Sequence, residues 1–174
     1  MEPQNSLQYP IGKFRYNGLF TTKQIAQQIE ILAEFPKEIS RIAAELSNRQ
    51  LDLPYREGGW TGKQVIHHLA DSHMHAYLRT KFTLLEQDTV IKAYNEKAWA
   101  AAKELDKLPV SASLEILSGV HQRWCVVFES MDRDDFLKTY LHPEFNTKVP
   151  LHEVLHHYAW HAQHHLGHLR ILST

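Results

Sequence analysis

The sequence predicts an all-α protein: a four-helix bundle with a short extra helix in the crossover between its second and third long helices. Three observations predict it. Four long stretches carry apolar residues at helical spacing. Two of them open on capping-box pairs, Thr21/Gln24 and Thr61/Gln64. The connections between them are short to medium, polar and punctuated by Pro and Gly, which suits helices that close as an up-and-down or crossover bundle.

At 174 residues the chain suits a single domain, 1–174, with one sizeable core. Its 43% hydrophobic and 22% charged residues are ordinary for a soluble globular protein. A formal net charge of -1 without a basic run argues against nucleic acid as a partner. No apolar run approaches the roughly 20 residues of a membrane span. The start, MEPQNSLQYPIGKF, has no apolar signal core, so a cytoplasmic location is expected. Cys125 is the only cysteine, which rules out an intrachain disulfide and fits a reducing compartment.

Residues 1–20 read as irregular, interrupted by Pro10, Gly12 and Gly18, with Tyr9, Ile11, Phe14 and Tyr16 offering apolar bodies to lay over a core. The first helix begins after Thr21 and ends near Asn48, with a kink or break expected at Pro36. Residues 51–59, LDLPYREGG, form a turn whose Tyr55, Arg56 and Glu57 either line a site or simply pack on Trp60. The second helix runs from Thr61 to about Glu86. The crossover, 87–111, holds the short helix around Asn95–Glu104. The third helix spans about Ser113 to Met131, burying Leu114, Leu117, Val120, Trp124 and Phe128, with Cys125 as a packed side chain. Residues 132–149 read as a polar loop with a hairpin around Phe145–Lys148, and Pro150 suits the first turn of the last helix.

Histidine is the unusual residue. Eleven of the 13 fall in two places, 67–75 and 152–168. At about 100° per residue, Leu151, Val154, Leu155, Tyr158, Ala162, Leu166, Leu169 and Leu172 of the last helix share one stripe, and His161 and His165 lie on it. His157, His164 and His168 sit along its edge; His152 and His156 point away. Residues four apart on a helix face the same way, so two imidazoles can grip one ion. Burying such a pair disfavours the charged rings and leaves polar nitrogens to satisfy, which a metal would do. A ligand from the second helix would complete the site, but spacing leaves His68 and His73 as equal alternatives. His121 alone reads as a surface or outer residue. Asp71 and Glu153 are candidate acceptors for the ligands' second N–H groups.

The stretch His152-Glu153-Val154-Leu155-His156 matches the short H-E-x-x-H pattern of zinc proteases. Its histidines face away from the apolar stripe, so it reads as a chance match on a solvated face.

The run SLQYPIGKF, the turn PYREGGWT, the helix segment HHLADSHM, the loop HPE and the final WHAQHHLGH together resemble YfiT-type proteins of the DinB/YfiT four-helix-bundle superfamily. The five segments occur in order over nearly the whole chain. The resemblance implies a metal ligand eight residues after a tryptophan that opens the second helix, here Trp60 and His68, and two more from W-H-x-x-x-H, here His161 and His165. It thus selects His68 over His73, and it implies one divalent metal ion per chain; histidine-only ligation suits zinc or nickel, with iron and copper as alternatives that sequence does not separate. It further implies a metal-dependent hydrolase of a small-molecule substrate, working as a homodimer. The alternative it carries is a bacillithiol-transferase-like enzyme that passes a low-molecular-weight thiol to an electrophile; a second is a non-enzymatic metal-binding stress-response module.

Overall fold

The computed structural model describes residues 7–18 and 20–173. Of the irregular N-terminal segment expected from sequence, residues 1–6 and 19 lie outside the described residues. Four long helices dominate: α1 (Thr22–Glu45), α3 (Gly62–Leu85), α5 (Val110–Glu129) and α7 (Leu151–Leu172). Between them lie the short helices α2 (Asn48–Leu51), α4 (Glu96–Ala100) and α6 (Arg133–Leu137), a 3-10 turn at Lys103–Asp106, and the hairpin β1 (Thr139–His142)/β2 (Thr147–Pro150). Among the described residues no helix is long and apolar enough to cross a membrane.

Both capping boxes form. Thr21 Oγ1 accepts from the Gln24 N–H, and Gln64 returns the bond at Thr61. Two shorter helices escaped the sequence reading. Ser47 caps α2 with Gln50, and Asp132 caps α6 with Asp135. In both, a single turn buries one apolar residue, Leu51 or Phe136, too little to register as a period.

Proline 36 does not break α1, which runs unbroken from Thr22 to Glu45. An interior proline costs a helix ~3 kcal/mol or more. Here Leu32, Phe35 and Ile39 are fully buried around it, and burying three large side chains is worth about 1.5–3 kcal/mol each. Packing outweighs the propensity. The cost remains visible as a carbonyl, Leu32, to which residue 36 has no N–H to offer.

The long helices form a four-membered ring in which α1 packs on α5 and α7, and α3 packs on the same two. Helices consecutive in sequence, α1 and α3 or α5 and α7, therefore stand across the diagonals. An up-and-down bundle would set consecutive helices side by side. The diagonal arrangement brings α7 against α3, the two histidine-rich helices.

The core has two apolar clusters. One holds Phe35, Ile39, Leu69, Leu117 and Leu166 with their neighbours; the other holds Leu32, Trp124, Phe128, Leu151 and Leu155. Between the two, each of three helices inserts one histidine. His73 falls between Ala70 and Ala76, His121 between Leu117 and Trp124, and His161 between Ala159 and Ala162. Leu117, fully buried, supports this layer from one side. Leu117→Ala should cost about 2–5 kcal/mol in urea unfolding, whereas Val126→Ala on the outer face of α5, 60% exposed, should stay within about 0.5 kcal/mol. Equal effects at the two positions would contradict this core.

Candidate metal centre

His68 enters from α3, and His161 and His165 from successive turns of α7. One ligand-capable nitrogen from each lies within 4.8 Å of the other two. His68 Nε2 and His161 Nε2 are 3.3 Å apart. Two nitrogens bound at about 2.0–2.1 Å to one tetrahedral ion stand roughly 3.3–3.4 Å apart, so the donor set fits a metal. His68 and His165 are buried, and His161 is somewhat more accessible. Trp60, at the entry of α3, covers His68 with ring centroids 4.6 Å apart.

Electrostatics keep these rings neutral. Burial pushes His68 down to about 4. Burial first, then neighbouring imidazoles, hold His161, His165 and His73 well below the usual histidine range. Neutral imidazole is the form that binds metals.

The structure brings together the three residues selected by the resemblance, and places His73 behind them. His73 Nε2 lies 3.0 Å from His161 Nδ1, on the far side of that ring from His68. Its own Nδ1 is 2.7 Å from His121 Nε2, and His121 Nδ1 donates to the Leu32 carbonyl at 2.6 Å. His121 is therefore an interior residue, 1% exposed. On the other α7 histidine of the cluster, His165 Nδ1 meets His168 Nδ1 at 3.2 Å, and His168 Nε2 meets the Gln8 carbonyl at the same distance. The acceptors are thus histidines. Asp71 takes no such place: burial, and then the charge of Glu104, raise its pKa. Glu153 lies by Tyr16, whose pKa rises through burial and then through that charge. Periodicity could not reveal the His161–His73–His121 partners, because each of those links joins different helices.

The N-terminal segment covers the face of α7 that sequence assigned to solvent. Tyr16 Oη lies 2.6 Å from His152 Nδ1, and Phe20 stacks on the same ring at 4.2 Å. His156 Nδ1 donates to the His152 carbonyl. His152 is therefore buried, and the H-E-x-x-H histidines are engaged in packing and hydrogen bonds to the chain. Gly167 admits the segment: a Cβ there would sit 2.7 Å from Pro10 Cγ. The 51–59 turn also reaches the cluster, with Tyr55 stacked on His168 at 3.8 Å. Arg56 lies over Tyr55 and donates to the Glu57 carbonyl. Beside His161, Tyr158 packs its ring at 5.5 Å and sets its hydroxyl 3.4 Å from Ser72 Oγ. His142 packs at a tilt against Phe145 in the hairpin.

A four-helix bundle with a trihistidine cluster between two helices defines a class of metal-site bundle. The chain belongs to the DinB superfamily, whose sequence profile matches residues 31–169. It is 41% identical over 164 residues to a protein of Oceanobacillus iheyensis named "Putative metal-dependent hydrolase", with 94% of each chain covered. A Bacillus mycoides protein of the same name is 42% identical over 166 residues, with 95% of each covered. Among solved structures, YfiT from Bacillus subtilis, described as a probable metal-dependent hydrolase with an unusual four-helix-bundle topology, superposes with a TM-score of 0.93 at 37% identity. The match covers 97% of this chain and 96% of that one. A mycothiol-dependent maleylpyruvate isomerase shares the fold, with a TM-score of 0.61 at 17% identity over 80% of this chain and 60% of its own.

The depressed histidines set a pH dependence. His121 and His157 are each pushed down to about 4 by burial. The unfolded chain takes up these protons near pH 6.5 and the folded chain only near 4, so the unfolded state binds more protons between the two. Stability is therefore complete above about 6.5 and is lost as pH falls toward 4. The urea midpoint of chelator-treated protein should drop across that window. A flat or rising midpoint would contradict it.

Proposed function

We propose that His68, His161 and His165 hold one divalent metal ion and that the protein is a metal-dependent hydrolase of small molecules. The observation that carries the reading is the convergence of three neutral imidazoles from two helices, with nitrogens within 4.8 Å of one another. The relatives' names support the same activity. An all-imidazole donor set suits zinc or nickel. Held by only these three protein ligands, an ion would have positions open and would supply Lewis-acid chemistry, polarising a substrate group or activating water near neutral pH.

The chain's own groups have separable parts in this. His68 and the α7 pair reach the ion from different helices, so the site requires the folded bundle. Trp60 and Tyr55 exclude water from the side of His68, His165 and His168. Burial raises the Tyr158 pKa, so its phenol stays protonated and able to donate a hydrogen bond beside His161.

Protein purified without added metal should carry about one ion per chain, and His161→Ala or His165→Ala should lose it. Metal retained in both variants would contradict the site. The loaded protein should cleave members of a panel of small esters and amides without added thiol. Turnover seen only with a low-molecular-weight thiol present would contradict hydrolysis.

A further inference from the structure

The rings behind the trihistidine cluster form two chains, each ending on a backbone carbonyl. A neutral imidazole has one N–H and one lone pair, and a carbonyl only accepts. Each chain therefore has a single consistent polarity. In the first, His121 must carry hydrogen on Nδ1 to donate to Leu32, leaving its Nε2 to accept. His73 must then carry hydrogen on Nδ1, 2.7 Å away, leaving its own Nε2 to accept. His161 must carry hydrogen on Nδ1, 3.0 Å away, and its lone pair is left on Nε2, the atom that faces His68. In the second chain, His168 Nε2 donates to Gln8, so its Nδ1 accepts from His165 Nδ1, and the His165 lone pair is left on Nε2.

We propose that these two carbonyl-terminated relays lock His161 and His165 as Nδ1–H tautomers, so that both Nε2 lone pairs are presented before any ion arrives. His73, His121 and His168 are positioning residues in this scheme. The part concerning the ion rests on the functional reading above; the tautomers do not.

The first relay crosses the whole bundle, from α7 through α3 and α5 to α1. Its rings are held in place as well as paired. His73 is 0% exposed, and Phe35 stacks on it at 5.3 Å and packs at a tilt on His121 at 5.1 Å. Pro36 explains the terminus: lacking an N–H, it leaves the Leu32 carbonyl without its ordinary helical donor, and His121 takes that place. The second relay takes up two members of the other close histidine triplet, His164, His165 and His168. There His165 Nδ1 holds a hydrogen and the His168 lone pair accepts it, so those two nitrogens are paired with each other rather than open to a second ion.

The test is histidine-selective 15N NMR on the chelator-treated full chain, followed by zinc titration. His73, His121, His161 and His165 should be Nδ1–H tautomers and His168 Nε2–H, although a solvated neutral histidine side chain favours Nε2–H. His73→Leu removes the acceptor, so His161 should shift toward Nε2–H and zinc affinity should fall about 10–100-fold. His73→Gln can accept from His161 and donate to His121, and should bind zinc within about threefold of the unsubstituted chain. Zinc should bind at one ion per chain. His161 as Nε2–H in the unsubstituted chain, or a folded His73→Leu with undiminished affinity, would overturn the proposal. Should His73→Leu fail to fold, the unsubstituted tautomers and the Gln variant still decide it. A chain with the expected tautomers that binds no zinc would instead sink the metal reading alone.

Discussion

The constraint on which the structure depends is that polar rings buried between two apolar clusters must all be paired while neutral. An unpaired buried donor or acceptor costs about 1–3 kcal/mol, and a buried imidazolium without a counter-ion costs more. The first histidine chain meets this by passing one direction of donation from helix to helix until it reaches the Leu32 carbonyl. Fully satisfied networks of this kind fix a unique arrangement of the helices around them. Removing the hydrogen-bonding group of any link leaves its neighbour unpaired, so such edits propagate to the candidate metal ligands.

The connectivity of the bundle follows the same logic. Because α1 and α3 lie across one diagonal and α5 and α7 across the other, α3 has α5 on one side and α7 on the other. A single residue of α3, His73, can then touch His121 and His161 at once. The loops finish the site from outside. Tyr55 and Trp60 cover His168 and His68, and the segment before α1 lays its aromatic rings and the Gln8 carbonyl over α7.

Much of the fold was legible in the sequence, because long amphipathic stretches and capping boxes are local signals. The four long helices stand where periodicity put them, within a few residues. The single-turn helices α2 and α6 were missed because one buried residue makes no period. Pro36 was over-weighted, since its cost is local and the packing that offsets it is not. At the site, the stripe on α7 singled out His161 and His165, while the choice of His68 over His73 came from family resemblance. Spacing could not separate them because both point into the bundle, His68 toward the His161 Nε2 edge and His73 toward its Nδ1 edge. The burial of His121 and His152 was also invisible in sequence: one depends on a neighbouring helix and the other on Tyr16 and Phe20, 136 and 132 residues away in the chain.

The central claim is that rings on two helices converge on one ion through His68, His161 and His165. A metal-edge anomalous difference map from crystals grown without added metal tests it most directly. The account predicts a single peak per chain at bonding distance from all three rings, with coordination positions left for solvent. No peak there, or a peak on His164 and His168 instead, would contradict it.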